Sequence, residues 1–294
     1  MITPQQASFN QKIDFPNDLG IEIYIKREDV LHNEISGNKF RKLNYNLTEA
    51  KRLGFTKLLT FGGAYSNHIA AVAAAGRDFG FETIGVIRGE ELALKYQENP
   101  TLNKAEKDGM QFYFVSRTQY RDKTNPDFLA ELKQQFGDFY LIPEGGTNEL
   151  AVKGCEEILT SDDKTFDFIC CAVGTGGTIS GIINSLKPHQ KALGFPALKG
   201  DFLFDEIRKY AKNDCWDLVT AYHFGGYAKK NEELKQFMCR FNQKYLITLD
   251  PIYTSKMVFG VIDLISKGYF RPNTRILTIH TGGLQGLQTN KREL

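Results

Sequence analysis

Two lysines three positions apart, Lys39 and Lys42, stand in the stretch Ser36-Gly37-Asn38-Lys39-Phe40-Arg41-Lys42. The stretch follows a strand-like run at 21–26 and a polar loop, and it opens a segment of helical character from 38 to 53. An ammonium at a helix N-terminus faces the positive end of the dipole. Its charged form is disfavoured there, and a neutral, nucleophilic amine becomes accessible. Lys42 falls one turn later on nearly the same face, where it can hold a phosphate or another anion beside that amine. A solvated basic helix start accounts for the same residues on this stretch alone.

Three glycine-rich turns carry further chemistry. Gly174-Thr175-Gly176-Gly177-Thr178 lies between an apolar run and a helical segment. Free N–H groups and the helix dipole make such a turn a phosphate cradle. It departs from Gly-x-Gly-x-x-Gly and no lysine follows as a P-loop requires, so tight chain reversal is the competing reading. Phe61-Gly62-Gly63-Ala64-Tyr65-Ser66-Asn67-His68 offers a hydroxyl, an amide and an imidazole at a helix start, which suits a carboxylate. Helix capping explains Ser66 or Asn67, but hardly both together with His68. Ile279-His280-Thr281-Gly282-Gly283 closes the last strand-like run, where open α/β sheets place ligands.

The elements that must position these groups are legible as an alternation of short apolar and longer amphipathic runs, the pattern of an α/β fold with parallel strands. Strands are expected at 57–61, 83–87, 111–116 and 139–142, and helices at 69–79, 102–108 and 126–136, with 117–127 as a connection. A second block follows, with strands at 166–173, 192–195, 218–222, 246–249 and 276–280. Its helices are expected at 149–159, 179–186, 204–211, 230–241 and 255–267. Residues 43–143 read as a smaller domain inserted into a larger one made of 1–42 and 144–294.

The 294 residues are 41% hydrophobic and 24% charged, enough for a substantial core. With 37 basic against 35 acidic residues, net +2, and no long single-sign block, nucleic acid is not a favoured partner. The five cysteines, Cys155, Cys170, Cys171, Cys215 and Cys239, show no zinc-ligand spacing and read as reduced thiols. Neither a signal-type N-terminus nor a membrane-length apolar run is present, so the expected location is the cytoplasm.

A lysine, a phosphate cradle, a carboxylate pocket and a strand-end threonine together suggest a phosphorylated aldehyde cofactor that meets amino acids. The chain resembles the pyridoxal-phosphate enzymes of the tryptophan-synthase-β fold type, and within them the 1-aminocyclopropane-1-carboxylate deaminase and D-cysteine desulfhydrase family. The matching segments are Ile25-Lys26-Arg27-Glu28-Asp29, Gly37-Asn38-Lys39 with Arg41-Lys42-Leu43, Gly62-Gly63 with Ser66-Asn67-His68, and Ile142-Pro143-Glu144-Gly145-Gly146. The Gly174 to Thr178 turn, Asp250-Pro251-Ile252-Tyr253 and His280-Thr281-Gly282-Gly283 complete the set.

The resemblance implies two three-layer α/β domains with open, mostly parallel twisted sheets (fold type II), pyridoxal 5'-phosphate as cofactor, a small amino-acid substrate and a homodimer. It implies that Lys39 carries the cofactor covalently and then acts as the base at Cα. Lys42 and the turn Gly174, Thr175, Gly176, Gly177 and Thr178 would hold the phosphate. Asn67 would bond the ring hydroxyl, and Ser66, Asn67 and His68 would receive the substrate carboxylate. Tyr227 and Tyr253 match the family's active-site tyrosines, and Thr281 would face the pyridine nitrogen. Ser36 and His68 depart from the glycine and glutamine usual at their positions.

The deaminases resembled carry a glutamate after the tyrosine of the Asp-Pro-x-Tyr segment and a leucine where Thr281 stands. Here the first position is Thr254. The desulfhydrases share the threonine at the second, so the resemblance favours Cα deprotonation and β-elimination, as in a D-cysteine desulfhydrase, over ring opening. A 1-aminocyclopropane-1-carboxylate deaminase and a catalytically silent cofactor-binding protein are the alternatives. A nicotinamide dehydrogenase would use the Gly174 turn but leaves Lys39 and the Ser66 loop without a role.

Overall fold

A computed structural model describes residues 2–35, 37–200 and 202–284; Ser36 lies outside the described residues. Two sheets organise the chain. The larger has the order β1 (Asn10–Ile13), β2 (Glu22–Lys26), β10 (Arg275–Ile279), β7 (Phe168–Val173), β8 (Lys191–Pro196), β9 (Trp216–Leu218). Its pairs are parallel except β1 with β2. The smaller is fully parallel: β5 (Met110–Val115), β4 (Glu82–Arg88), β3 (Lys57–Gly62), β6 (Tyr140–Ile142).

Each sheet is covered on both faces, which is why its strands read as unbroken apolar runs. Along β3, Leu58 points to one side and Leu59 and Phe61 to the other, following the two-residue period. Leu58 packs with α1 (Asn38–Arg52), α2 (Asn67–Phe79) and α3 (Pro100–Lys107) through Leu47, Val72 and Leu102. The opposite face meets α4 (Arg117–Arg121) and α5 (Pro126–Phe136) through Tyr120, Phe128 and Leu132. In β7, Cys170 and Ala172 face α9 (Glu232–Tyr245) and α10 (Thr254–Ser266). Ile169, Cys171 and Val173 face α6 (Glu149–Glu156), α7 (Gly177–Ser185) and α8 (Phe202–Arg208).

The mixed α/β architecture is the one expected, with four local differences. β1 was not anticipated; it completes the sheet edge by antiparallel pairing with β2. The strand expected at 218–222 is β9 ending at Leu218, after which Thr220–Tyr222 forms a 3-10 turn. The connection at 117–127 contains the short α4, capped by Ser116 accepting from the Gln119 N–H. The strand expected at 246–249 does not form. Leu246 ends α9 in the left-handed region at φ 54°, and Ile247 and Leu249 bury their side chains without joining a sheet.

The start of α1 is fixed from two sides. Asn38 N–H donates to Thr281 O at 3.2 Å, tying the helix to the loop after β10. Gly37 sits at φ 58°, where an added Cβ would lie 2.0 Å from that same carbonyl oxygen, so only glycine allows the approach. Behind it, Arg41 makes a two-pronged pair with the fully buried Glu28, at 2.8 and 3.0 Å. All five cysteines are free thiols. Among the described residues no helix is long and apolar enough to cross a membrane.

Candidate active site

A cavity of about 280 Å³ opens where the C-terminal ends of the parallel strands from both sheets converge, the usual ligand position in open α/β sheets. Its wall includes Lys39 and Lys42 from α1, Ser66, Asn67 and His68 at the start of α2, and the turn between β7 and α7. Tyr227, Tyr253 and Thr281 complete the predicted set on the wall. Gly177 does not reach it: a Cβ there would lie 2.8 Å from Thr147, so its place is filled by that neighbour.

Both lysines aim at one oxygen. Lys39 Nζ lies 3.4 Å from Gly145 O, and Lys42 Nζ donates to it at 3.0 Å. Lys42 also donates to Thr147 Oγ1 at 3.0 Å and approaches Thr175 Oγ1 at 3.5 Å, the two hydroxyls being 2.6 Å apart. Burial, reinforced by the Lys42 ammonium, lowers the Lys39 pKa to about 7; burial also lowers that of Lys42. Among the described residues no carboxylate pairs with either lysine. Next to them Gly176 holds φ 84° at the head of α7, and Asn38 Nδ2 donates to Thr178 Oγ1 at 2.8 Å. A cationic pair without a protein anion, beside a glycine turn at a helix N-terminus, is a site for a bound anion.

At the other side, Ser66 Oγ caps α2 by accepting from the N–H groups of His68 and Ile69 at 3.2 and 3.3 Å. Its hydroxyl hydrogen stays available to a ligand. A Cβ on Gly283 would meet Asn67 Nδ2 at 2.6 Å, so the loop after β10 presses against that amide. His68 is turned partly away: its Nε2 lies 2.8 Å from Thr60 Oγ1, and that hydroxyl donates to Ile142 O at 2.9 Å. Since one hydroxyl has one hydrogen, Nε2 is the donor and Nδ1 presents a lone pair. Among the described residues Nδ1 is buried without a hydrogen-bond partner, and burial, then the nearby Lys39 and Lys42 ammonium groups, outweigh the Pro143 backbone and keep the ring neutral, well below the usual histidine range.

Tyr227 and Tyr253 meet edge to face with ring centres 6.3 Å apart. Burial raises both phenol pKa values, that of Tyr253 well above its ordinary range, so they stay protonated. Thr281 borders the cavity. Thr254 does not: it is fully buried at the start of α10, with Oγ1 donating to Asp250 Oδ1 at 2.7 Å and accepting from Asp250 N–H at 2.8 Å.

The family model described as "Pyridoxal-phosphate dependent enzyme" matches residues 10–282. The chain belongs to this family. A solved structure described as an "ACC deaminase homologue" superposes with a TM-score of 0.82 at 29% identity, covering 97% of this chain and 92% of the other. The "Bifunctional D-cysteine desulfhydrase/1-aminocyclopropane-1-carboxylate deaminase, mitochondrial" of Arabidopsis thaliana is 30% identical over 91% of this chain and 74% of its own length. The "D-cysteine desulfhydrase" of Serratia proteamaculans is 29% identical over 92% of this chain and 88% of its own.

The residues present fit pyridoxal 5'-phosphate. A neutral-tending amine at Lys39 suits an aldehyde, and Lys42 beside the Gly176 turn, with no carboxylate partner among the described residues, suits a phosphate. The sequence reading assigned no role to Thr147, Gly145, Glu144 or Arg88, although all belong to the site or its immediate wall. Glu144 and Gly145 stood inside a matching segment, which was the available signal. Thr147 directly follows that segment, and Arg88 carried none.

Proposed function

We propose that this enzyme is a lyase that removes a β-substituent from a small amino acid, with D-cysteine as its substrate and pyruvate, ammonia and sulfide as products. The observation that carries the reading is that, among the described residues, no free carboxylate lies around Thr281. Asp250 spends both oxygens on Thr254, Ile252 and Tyr253. Of the two carboxylates on the cavity wall, Glu144 is tied to Tyr120 and Lys123, and Glu34 to Arg77 and Lys104. A neutral hydroxyl beside the pyridine nitrogen suits a step that needs only Cα–H removal and a willing leaving group.

Pyridoxal 5'-phosphate, when bound, supplies the electron sink for the pair left at Cα. Lys39 holds the cofactor and then, as the free amine, takes the Cα proton. Lys42, Thr175, Gly176, Thr178 and Thr147 hold the phosphate. Ser66 and Asn67 orient the substrate carboxylate, with His68 behind them. The C–S bond breaks with hydrosulfide as the leaving group, the protonated phenols of Tyr253 and Tyr227 offer it hydrogen bonds, the Cα proton stays on Lys39 until it is returned to solvent, and the released aminoacrylate is hydrolysed to pyruvate and ammonia. The relatives' names support this reaction class. Residues 43–143, which contain all of β3 to β6, form the smaller domain in this reading, and a cytoplasmic homodimer is the working form.

Steady-state turnover of D-cysteine, L-cysteine, D-serine and 1-aminocyclopropane-1-carboxylate tests the reading. Sulfide and pyruvate release from D-cysteine should exceed all others. Faster α-ketobutyrate formation from the cyclopropane than sulfide release from either cysteine restores the deaminase.

A further inference from the structure

Lys256 lies on α10 one turn past Tyr253, and it is 1% exposed. Its Nζ donates to two main-chain carbonyls, His223 O and Gly226 O, each at 2.8 Å. A buried ammonium is tolerated only where it is well paired, and here the partners are carbonyls of one irregular segment between Tyr222 and Glu232. Burial lowers the Lys256 pKa to about 8, against the raising effect of Asp250.

That segment carries Tyr227. Phe224, Gly225, Gly226 and Ala228 all hold positive φ, at 52°, 90°, 116° and 56°. Two of them bear a Cβ, and such backbone persists only where its surroundings over-determine it. Besides the turn's own bonds, Gly226 N–H to His223 O at 3.0 Å and Lys229 N–H to Gly226 O at 3.1 Å, three further contacts do so. His223 Nδ1 accepts from Gly225 N–H at 2.9 Å, the Phe224 ring meets Phe259 of α10 at 5.1 Å, and Lys256 grips the carbonyls on either side of Phe224 and Gly225. Gly226 O belongs to the residue directly before Tyr227, so the lysine holds the peptide that leads into this residue of the cavity wall.

We propose that Lys256 is a positioning residue that clamps the 223–226 turn and thereby sets Tyr227 over the reacting atoms. The clamp rests on the reading of Tyr227 as an active-site residue. Because Phe224 on Phe259 still tethers the loop, losing the clamp displaces Tyr227 without unfolding the chain.

The test is a double-mutant cycle of Lys256→Met with Tyr227→Phe, run on the amino acid the parent turns over fastest, together with limited tryptic cleavage of the cofactor-free proteins at Lys229 and Lys230. Each single variant should lose about 10-fold or more in kcat/KM, and the double variant should lose no more than about 2-fold beyond the worse single, because both changes remove one function. Lys256→Met should also be cleaved faster in this loop at unchanged Tm. Gly226→Ala, which forces a Cβ onto φ 116° without touching the buried lysine, should reproduce both effects if Lys256→Met does not fold. Multiplicative losses in the double variant, or cleavage at the parent's rate, overturn the clamp. A parent inactive on every amino acid overturns the lyase reading instead, and the cleavage arm then decides the clamp alone.

Discussion

Lys39 and Lys42 share a single acceptor, the carbonyl oxygen of Gly145, at 3.4 and 3.0 Å. Two like charges aimed at one oxygen leave the less well bonded of them easier to deprotonate. Burial lowers the Lys39 pKa to about 7, the neighbouring Lys42 ammonium adds to the shift, and Lys42 keeps Thr147 as a further close partner. An ordinary lysine near 10.5 is neutral to about one part in 3,000 at pH 7, whereas a group at about 7 is half neutral. The lowered value places the reactive amine above, not below, that pH. Capture of pyridoxal phosphate by the apoprotein, followed by visible absorbance, should therefore accelerate up to about pH 7 and level off. A rate that keeps climbing tenfold per unit through pH 9 contradicts the assignment.

Under the proposed phosphate role of Lys42, Lys42→Ala removes the charged contact to the phosphate while leaving Lys39 in place. A charge-assisted hydrogen bond contributes on the order of 1.5–3 kcal/mol, so cofactor affinity should fall about 10- to 150-fold. Thr147→Val, which deletes the hydroxyl shared by Lys42 and Thr175, should cost about 10-fold or less. Equilibrium dialysis of both variants ranks them, and equal retention by Lys42→Ala and the parent returns Lys42 to a structural role.

The sequence revealed what local chemistry determines. α5 begins and ends where expected because Asn125 caps it, Pro126 occupies its first turn and Gly137 stops it at φ 76°. Lys39 was legible for the same kind of reason, at a helix start behind a glycine. What stayed hidden depends on contacts across the chain. Apolar alternation at 246–249 satisfies a strand pattern equally well when the segment merely buries Ile247 and Leu249 beside α9. His68 reads as a carboxylate ligand until Thr60, on another element, is seen to hold its Nε2. Thr147 and Lys256 act through partners more than 25 residues distant, which no spacing rule brings together.

Thr254→Glu is the obvious attempt to give the ring nitrogen an acid, and the structure argues against its success. Thr254 Oγ1 donates to Asp250 Oδ1 and accepts from the Asp250 N–H, so a carboxylate there would meet a buried carboxylate and forfeit both of these hydrogen bonds. Stability should drop by at least about 1–3 kcal/mol, seen as a lower Tm, with no gain in ring opening. Thr254→Ser, which keeps the hydroxyl, should behave nearly as the parent. A Thr254→Glu variant with unchanged Tm and faster α-ketobutyrate formation contradicts both statements.

The Glu28–Arg41 pair makes the last prediction, because it fixes the helix that presents Lys39 two residues earlier. Glu28 is fully buried, and its two oxygens take the Arg41 Nε and Nη2 donors at 2.8 and 3.0 Å. Glu28 O also accepts the Gly37 N–H at 3.1 Å, so the same residue holds the chain on both sides of the helix start. Glu28→Gln keeps the shape but leaves the guanidinium only the partly exposed Glu157 at 3.8 Å as a charge partner, so the loss should approach the lower end of the roughly 3–5 kcal/mol for breaking a buried pair from one side. Urea unfolding should show that loss. Glu28→Gln with Arg41→Met, which removes both charges, should recover most of the stability. It should not recover full cofactor capture, because the two-pronged bond that orients the first turn of α1 is still missing. Full recovery of both would mean that α1 is placed by its apolar face against α2 and β3 alone.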